Sequence, residues 1–224
     1  QYLNIISLHG LKDIRTGKKM VNEIIDYKHY NWGPLLYSAK VAPEVVTKIL
    51  EICDESTRSK VGELAGHIEK ELRLPPLEVF SHLKPYFRSY AKASGETPYF
   101  RPLPLLTMES AWVNYMEAGD FNPPHNHDGV LSFVIFLKVT DELEQENLAY
   151  KGRSVGPGGI VFRNSLLKRP GSLSTDDQSF FPEEGTIFIF PAHLEHWVFP
   201  FKSKGTRVSL SGNLGELIKS VVIK

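Results

Sequence analysis

The second half of the chain is a succession of short apolar segments separated by turns that contain glycine and proline. Val130 to Leu137 is a nearly continuous apolar run, which predicts a strand buried on both of its faces. The other predicted strands of this half are 99–106, 110–116, 158–162, 186–190, 197–201 and 206–212. No helical pattern long enough for a parallel crossover lies among the last three, so the pattern predicts an antiparallel sandwich or jelly roll.

Residues 1–95 show helical patterns instead. Apolar residues recur on one stripe after Pro43, and this stripe makes Cys53 a predicted core residue. Short helices are also predicted over 20–27 and 64–72, and a longer one from about Pro76, which Pro85 should kink or restart. We therefore predict a mainly β protein with N-terminal helices, of the α+β class. A helical extension over residues 1–95 packs on a β core over residues 96–224, and together they form one structural domain.

Composition limits the classes of partner. Lysine plus arginine and aspartate plus glutamate both total 26, without long blocks of either sign, so neither nucleic acid nor a membrane surface is expected as a partner. The single cysteine excludes an intramolecular disulfide and any multi-cysteine metal site. No apolar run approaches the roughly 20 residues that span a bilayer, and we find no signal peptide. We expect a cytoplasmic protein that acts on a small molecule or peptide, with the oligomeric state open, a homodimer included.

Two histidines stand directly before the long apolar strand, in the segment Pro123-Pro124-His125-Asn126-His127-Asp128-Gly129. On an extended strand, residues i and i+2 project from the same face about 7 Å apart, so His125 and His127 can point toward one metal ion. Two nearby histidines at a strand end are also compatible with surface residues that merely form hydrogen bonds. The spacing alone leaves both interpretations open.

The later sequence supplies further elements in a fixed order. An apolar strand over 185–191 ends in proline, Glu195-His196-Trp197-Val198 follows, and Arg207 stands in Thr206-Arg207-Val208-Ser209-Leu210-Ser211. In this order and spacing, the region from about Trp112 to Asn213 resembles the iron(II)- and 2-oxoglutarate-dependent oxygenases. It is most similar to a bacterial and phage group with an H-x-H element.

The resemblance implies a double-stranded β-helix, the cupin-like form of the jelly roll, with Fe(II) as cofactor and 2-oxoglutarate and O2 as cosubstrates. It implies that His125, His127 and His196 are the metal ligands and hence the catalytic residues. Arg207 would bind the far carboxylate of 2-oxoglutarate, Ser209 on the same strand face could donate to it, and Asn114 would line the site on a neighbouring strand. The implied reaction is a hydroxylation, and no sequence motif identifies the primary substrate.

One position departs from the usual pattern of the family. His127 stands where most members have a carboxylate, which leaves a bound metal ion with more positive charge that the 2-oxoglutarate dianion could offset. Asp128 is adjacent but should point to the opposite strand face, and His193 lies three residues before His196, so neither is expected to be a ligand.

Two other functions compete with the oxygenase. The spacing of glycines, histidines and Pro191 also resembles the two motifs of cupins, but the glutamate that cupins usually add after the H-x-H pair is missing, and cupins have no need for Arg207. The third hypothesis is a jelly-roll binding module without catalysis, whose histidines only form hydrogen bonds. Metal binding would discriminate the last from the other two.

Overall fold

The computed structural model describes residues 25–31, 34–56, 59, 65–95, 105–164 and 177–217. Its helices are α1 (Pro43–Glu55), α2 (Pro76–Gly95) and α3 (Asp141–Ala149). Its strands are β1 (Tyr27–Asn31), β2 (Leu35–Lys40), β3 (Lys70–Arg73), β4 (Leu106–Met116), β5 (Asn122–His125), β6 (Leu131–Lys138), β7 (Ile160–Arg163), β8 (Asp177–Phe180), β9 (Thr186–Pro191), β10 (Glu195–Val198) and β11 (Arg207–Glu216). The helix predicted over 20–27 and the strand predicted over 99–106 fall largely outside the described residues, although Tyr27 itself begins β1.

The strands form two antiparallel sheets. The large sheet has the order β1-β2-β9-β6-β11-β4-β3, and the small sheet has the order β5-β10-β7-β8. From β4 to β7 and again from β8 to β11, successive strands alternate between the two sheets, as in a jelly roll. The predicted fold class, mainly β with a few helices and a jelly-roll core, is confirmed.

Each strand at the centre of the large sheet separates two hydrophobic cores. On β6, Phe133 and Ile135 pack in a core with residues of α1 and α2, whereas Val134 and Phe136 pack in a second core with residues of the small sheet. This is the period-2 alternation of a strand whose two faces are both buried. Polar residues that point into the second core are therefore the candidates for a functional site.

A bulge in β4 sets which of its residues reach that second core. Asn213 on β11 pairs with Ser110, but the next residue, Leu214, pairs with Met108, so Glu109 is the extra residue. The extra residue shifts the alternation of β4 by one position. As a result Met108 and Val113 both face the helices, although their numbers differ by five.

The helices predicted from Pro43 and Pro76 are confirmed, and α2 runs as one helix through Pro85. The helix predicted over 64–72 is wrong, because Lys70–Arg73 form β3. β3 pairs with β4 and covers the outer edge of β4, and this long-range pairing outweighs a weak local helical pattern.

Asn122, Pro123 and Pro124 are residue types that favour a turn, but they begin β5 instead. β5 lies at the edge of the small sheet, where a proline without an N–H removes no hydrogen bond to a second neighbour.

The strands β1, β2 and β3 were not predicted from the sequence. They belong to the large sheet, in which β2 pairs with β9 and β3 pairs with β4. The division into an extension over 1–95 and a core over 96–224 stays a prediction. Within the described ranges, none of the helices is both long and apolar enough to cross a bilayer.

Candidate active site

A pocket opens between the two sheets where their inner faces carry polar side chains. The space between its lining atoms, together with open solvent at its mouth, amounts to about 550 Å³. Its lining includes every residue that the sequence singles out as a candidate for the site: Asn114, His125, His127, His196, Arg207 and Ser209. These six residues come from β4, β5, the segment after β5, β10 and β11.

The three histidines converge although they come from distant parts of the chain. His196 on β10 is the register partner of His125 on β5, and their ring centroids lie 4.3 Å apart. His127 lies just beyond the end of β5, where its backbone N–H donates to the carbonyl of Ala192 at 2.9 Å. Each histidine offers one ring nitrogen as a candidate ligand atom, and the three nitrogens all lie within 4.8 Å of one another. This group of atoms could hold one metal ion.

Backbone carbonyls orient two of the imidazoles. The Nδ1 atom of His125 lies 2.7 Å from the carbonyl oxygen of Pro123, and that of His196 lies 2.9 Å from the carbonyl oxygen of Leu194. A protonated Nδ1 donates in these hydrogen bonds, which leaves Nε2 with its lone pair. The backbone thereby fixes the tautomer that a metal ligand needs.

Burial favours the neutral form of the same two rings. It lowers the pKa of His125, an effect that the hydrogen bond to Pro123 partly opposes. It lowers the pKa of His196 well below its ordinary value, and the nearby His125 and His127 lower it further. Neutral imidazole is the form that binds a metal ion, so these two rings need not lose a proton at neutral pH.

Arg207 provides the positive charge of the pocket. Its side chain is 2% exposed, its Nη1 donates to the carbonyl oxygen of Gly158 at 2.9 Å, and its Nε has no hydrogen-bond partner. Burial lowers the pKa of Arg207 to about 10, so the guanidinium remains protonated at neutral pH. A buried cation with an unused donor fits an anionic ligand.

Asn114 and Ser209 complete the predicted set. They are register partners on β4 and β11, and both are almost fully buried. Oδ1 of Asn114 has no hydrogen-bond partner. The residues thus fit Fe(II) and 2-oxoglutarate, since imidazoles suit Fe(II), and the guanidinium and the Ser209 hydroxyl suit a carboxylate.

Comparison with known proteins identifies the family. Residues 110–213 match the family model described as "Putative 2OG-Fe(II) oxygenase". The match assigns residues 110–213, somewhat less than half of the chain, to the 2OG-Fe(II) oxygenases. The protein is an enzyme, a 2-oxoglutarate-dependent dioxygenase with Fe(II) as its metal cofactor and with 2-oxoglutarate and O2 as cosubstrates. No curated protein is similar enough in sequence to match it.

Solved structures share the fold of this oxygenase at low sequence identity. The viral collagen prolyl hydroxylase of Paramecium Bursaria Chlorella virus-1 is 13% identical, with a TM-score of 0.53, and the match covers 81% of this chain and 96% of that chain. A prolyl-4-hydroxylase from Pseudomonas putida is 12% identical, with a TM-score of 0.51 and coverage of 82% and 93%. HygX from Streptomyces hygroscopicus is 11% identical, with a TM-score of 0.52 and coverage of 82% and 83%.

Aromatic side chains surround the histidines of the oxygenase. The ring of Trp112 meets that of His127 edge-on at a centroid distance of 5.6 Å, and the rings of Phe162 and Phe190 lie 6.1 and 4.9 Å from that of His196. Packing of this kind limits the rotation of the imidazoles and keeps water from their sides.

Four further aromatic residues of the core strands, Phe133, Phe136, Phe188 and Trp197, lie in different places. Phe133 and Phe136 line the pocket, whereas Phe188 belongs to the core between the sheets. The ring of Trp197 is only half-buried and lies under the guanidinium of Arg163, 4.6 Å from its centre. Trp197 does not line the pocket.

Asp128 and His193 are exposed, and neither belongs to the group of ligand atoms among the described residues. Sequence reasoning missed Glu71, a buried carboxylate of β3 that lines the same pocket. It lies in the segment that the local pattern assigned to a helix, so no motif drew attention to it.

Proposed function

We propose that this oxygenase hydroxylates a small molecule or a peptide, with His125, His127 and His196 as the ligands of Fe(II). Arg207, Ser209 and Asn114 would hold 2-oxoglutarate. The observation that most strongly supports this proposal is the convergence of three imidazoles in one pocket with a buried arginine whose Nε has no partner. The balanced charge of the chain favours neither nucleic acid nor an anionic surface as substrate, and the need for reduced iron favours the cytoplasm.

When bound, Fe(II) with 2-oxoglutarate supplies an oxidation by O2 that yields succinate, CO2 and a hydroxylated substrate. The chain contributes a donor set held in one orientation. The carbonyls of Pro123 and Leu194 hold Nδ1–H of His125 and His196, so neither imidazole has to change tautomer to bind the metal. Three protein ligands leave further coordination positions for a bidentate cosubstrate and for O2.

Arg207 would select and orient 2-oxoglutarate. Its Nη1 is engaged by Gly158, which fixes the guanidinium plane, and its Nε keeps a donor for a carboxylate oxygen. The Ser209 hydroxyl lies two residues along the same face of β11 and adds a second donor. Because both residues are buried, these hydrogen bonds would form away from competing water.

The proposal is tested by anaerobic titration of the Fe(II)-loaded protein with 2-oxoglutarate, with detection of the weak visible charge-transfer band of a chelated 2-oxo acid. We expect the band in the wild-type protein, its loss in His127→Ala, and its retention in His193→Ala, an exposed histidine near the site. Bound metal without a band would contradict the cosubstrate assignment and favour a cupin-type enzyme. Absence of metal binding would contradict the ligand assignment altogether.

A further inference from the structure

Glu71 is a buried residue with a carboxyl group that the proposed chemistry does not use. It lies on β3, the outermost strand of the large sheet beside β4, and its side chain is only 1% exposed. Its neighbour Leu72 packs against the core that contains α1 and α2, so Glu71 points to the opposite face. On that face it lines the same pocket as the three histidines.

Glu71 continues a row of side chains that crosses the sheet. Ser209 on β11 pairs with Asn114 on β4, and Asn114 pairs with Glu71 on β3. Neighbouring strands are about 4.8 Å apart, so the Glu71 backbone lies roughly 10 Å from the strand that carries Ser209 and Arg207. The row therefore runs from the end of the pocket where 2-oxoglutarate is proposed to bind, beside Arg207, to the opposite end, where Glu71 lies.

The two ends of this row differ in charge. Among the described residues of the lining, Arg207 is the one cation and Glu71 is the one carboxylate. 2-Oxoglutarate is a dianion that offers acceptors, so it is attracted to Arg207 and repelled by Glu71. A carboxylate at the Glu71 end instead favours a hydrogen-bond donor with a positive charge.

Asn114 gives an independent reason to expect a donor there. Its Oδ1 is an acceptor without a partner, its side chain is 4% exposed, and it stands directly beside Glu71 in the row. The acceptor groups of 2-oxoglutarate can pair with the Nδ2–H donors of Asn114 but cannot satisfy its Oδ1, whereas an N–H group can. Glu71 already has an interaction within the chain, but a carboxylate has about four acceptor positions and can take another donor.

The surroundings of Glu71 also suit a cation. Trp112 lies on the same face of β4 as Asn114, and it also lines the pocket. Its aromatic ring is of the kind that binds alkylammonium groups. Ala65 and Gly66 also line the pocket. A Cβ at Gly66 would collide with Oδ1 of Asn122, so this part of the pocket wall is closely packed.

We infer that Glu71, with Oδ1 of Asn114, is the specificity determinant of the primary substrate and selects a substrate that carries a cationic nitrogen, such as an amine. This inference rests on the proposed function, since it assumes that 2-oxoglutarate occupies the Arg207 end. Glu71 binds the nonreacting cationic group and thereby orients the substrate toward the three histidines.

The experiment uses the protein loaded with Mn(II) and 2-oxoglutarate, because Mn(II) accelerates the proton relaxation of any small molecule bound near it. The probes are n-butylammonium and its neutral analogue 1-butanol, titrated separately. We expect the ammonium probe to bind about tenfold more tightly than the alcohol, the size of one charge-assisted hydrogen bond. The preference should disappear in Glu71→Gln and persist in Glu69→Gln, an exposed glutamate two residues away.

Equal relaxation of the two probes, or a preference that persists in Glu71→Gln, would overturn the inference while leaving the proposed function intact. Failure of Mn(II) or 2-oxoglutarate to bind would instead overturn the proposed function. If Glu71→Gln does not fold, the wild-type preference together with Glu71→Asp, which keeps the charge, decides the question. Loss of the preference in a folded Glu71→Asp would show that charge alone is insufficient and overturn the inference as stated.

Discussion

At the scale of single residues, the most informative position is His127. Its imidazole lies with those of His125 and His196, so the proposed ligand group would consist of three neutral donors. A carboxylate at this position would give a bound divalent ion one unit of negative charge that the imidazole does not supply. In the proposed site the 2-oxoglutarate dianion would therefore have a larger share in balancing the metal charge.

We predict that His127→Asp raises the metal affinity of the protein without 2-oxoglutarate by about tenfold. The factor by which 2-oxoglutarate strengthens metal binding should fall, because part of the charge is already balanced. Calorimetric titration with Mn(II), with and without 2-oxoglutarate, measures both quantities. His127→Asn is the neutral control, and equal metal affinities of the Asp and Asn variants would contradict the charge argument.

Arg207 leads to a second prediction at this scale. Arg207→Ala should keep metal binding and lose 2-oxoglutarate affinity by about 1.5 to 3 kcal/mol, the usual contribution of a hydrogen bond to a charged group. Because the pKa of Arg207 is about 10, wild-type affinity should fall as the pH rises through that value and the guanidinium loses its charge. Calorimetry measures the affinity, and Arg153→Ala, an exposed arginine, is the control. Unchanged affinity in Arg207→Ala would refute the carboxylate assignment.

At the scale of elements, β11 connects the fold to the site. It pairs with β4 on one side and with β6 on the other, and its inner face carries Arg207 and Ser209. Its register therefore fixes where both residues stand in the pocket. Gly212 allows β4 and β6 to approach this strand closely.

We predict that Gly212→Ala destabilises the protein by about 1 to 3 kcal/mol, the usual cost of overpacking a core. A Cβ at Gly212 would lie 2.5 Å from the carbonyl oxygen of Ser110 and 2.7 Å from Cε1 of Phe133. Urea unfolding measures the loss. Gly95→Ala is the control, since a Cβ there meets nothing within 4 Å. Equal stabilities of the two variants would show that the strands adjust without cost.

At the scale of the whole molecule, α1, α2 and the large sheet enclose the core that includes Cys53. Its side chain is 1% exposed, and burial raises the pKa of the thiol to about 12. Because it is the only cysteine, its reactivity reports on the opening of this core.

We predict that Cys53 does not react with a thiol reagent at pH 8 in the native protein and reacts fully in denaturant. At a pKa of about 12 only about one thiol in ten thousand is ionised at that pH, and the side chain is also inaccessible. Absorbance of the released reagent measures the reaction, with Cys53→Ser as the blank. Rapid reaction without denaturant would mean that the helices separate readily from the sheet.

The amino-acid sequence by itself determined the jelly-roll class, because strand periodicity and turn residues are local properties. The order of His125, His127, His196 and Arg207 was likewise sufficient to indicate the family. Their contact was not local, since His125 meets His196 only through the pairing of β5 with β10.

Only the tertiary structure decided the roles of the segments whose local signals were weak. Residues 70–73 carry a pattern that fits a helix, but pairing with β4 makes them a strand and buries Glu71 in the pocket. Asn122 to Pro124 carry turn residues, but an edge position in the small sheet makes them extended. In both cases long-range strand pairing contributes more free energy than local propensity, and no window of sequence contains the partner strand.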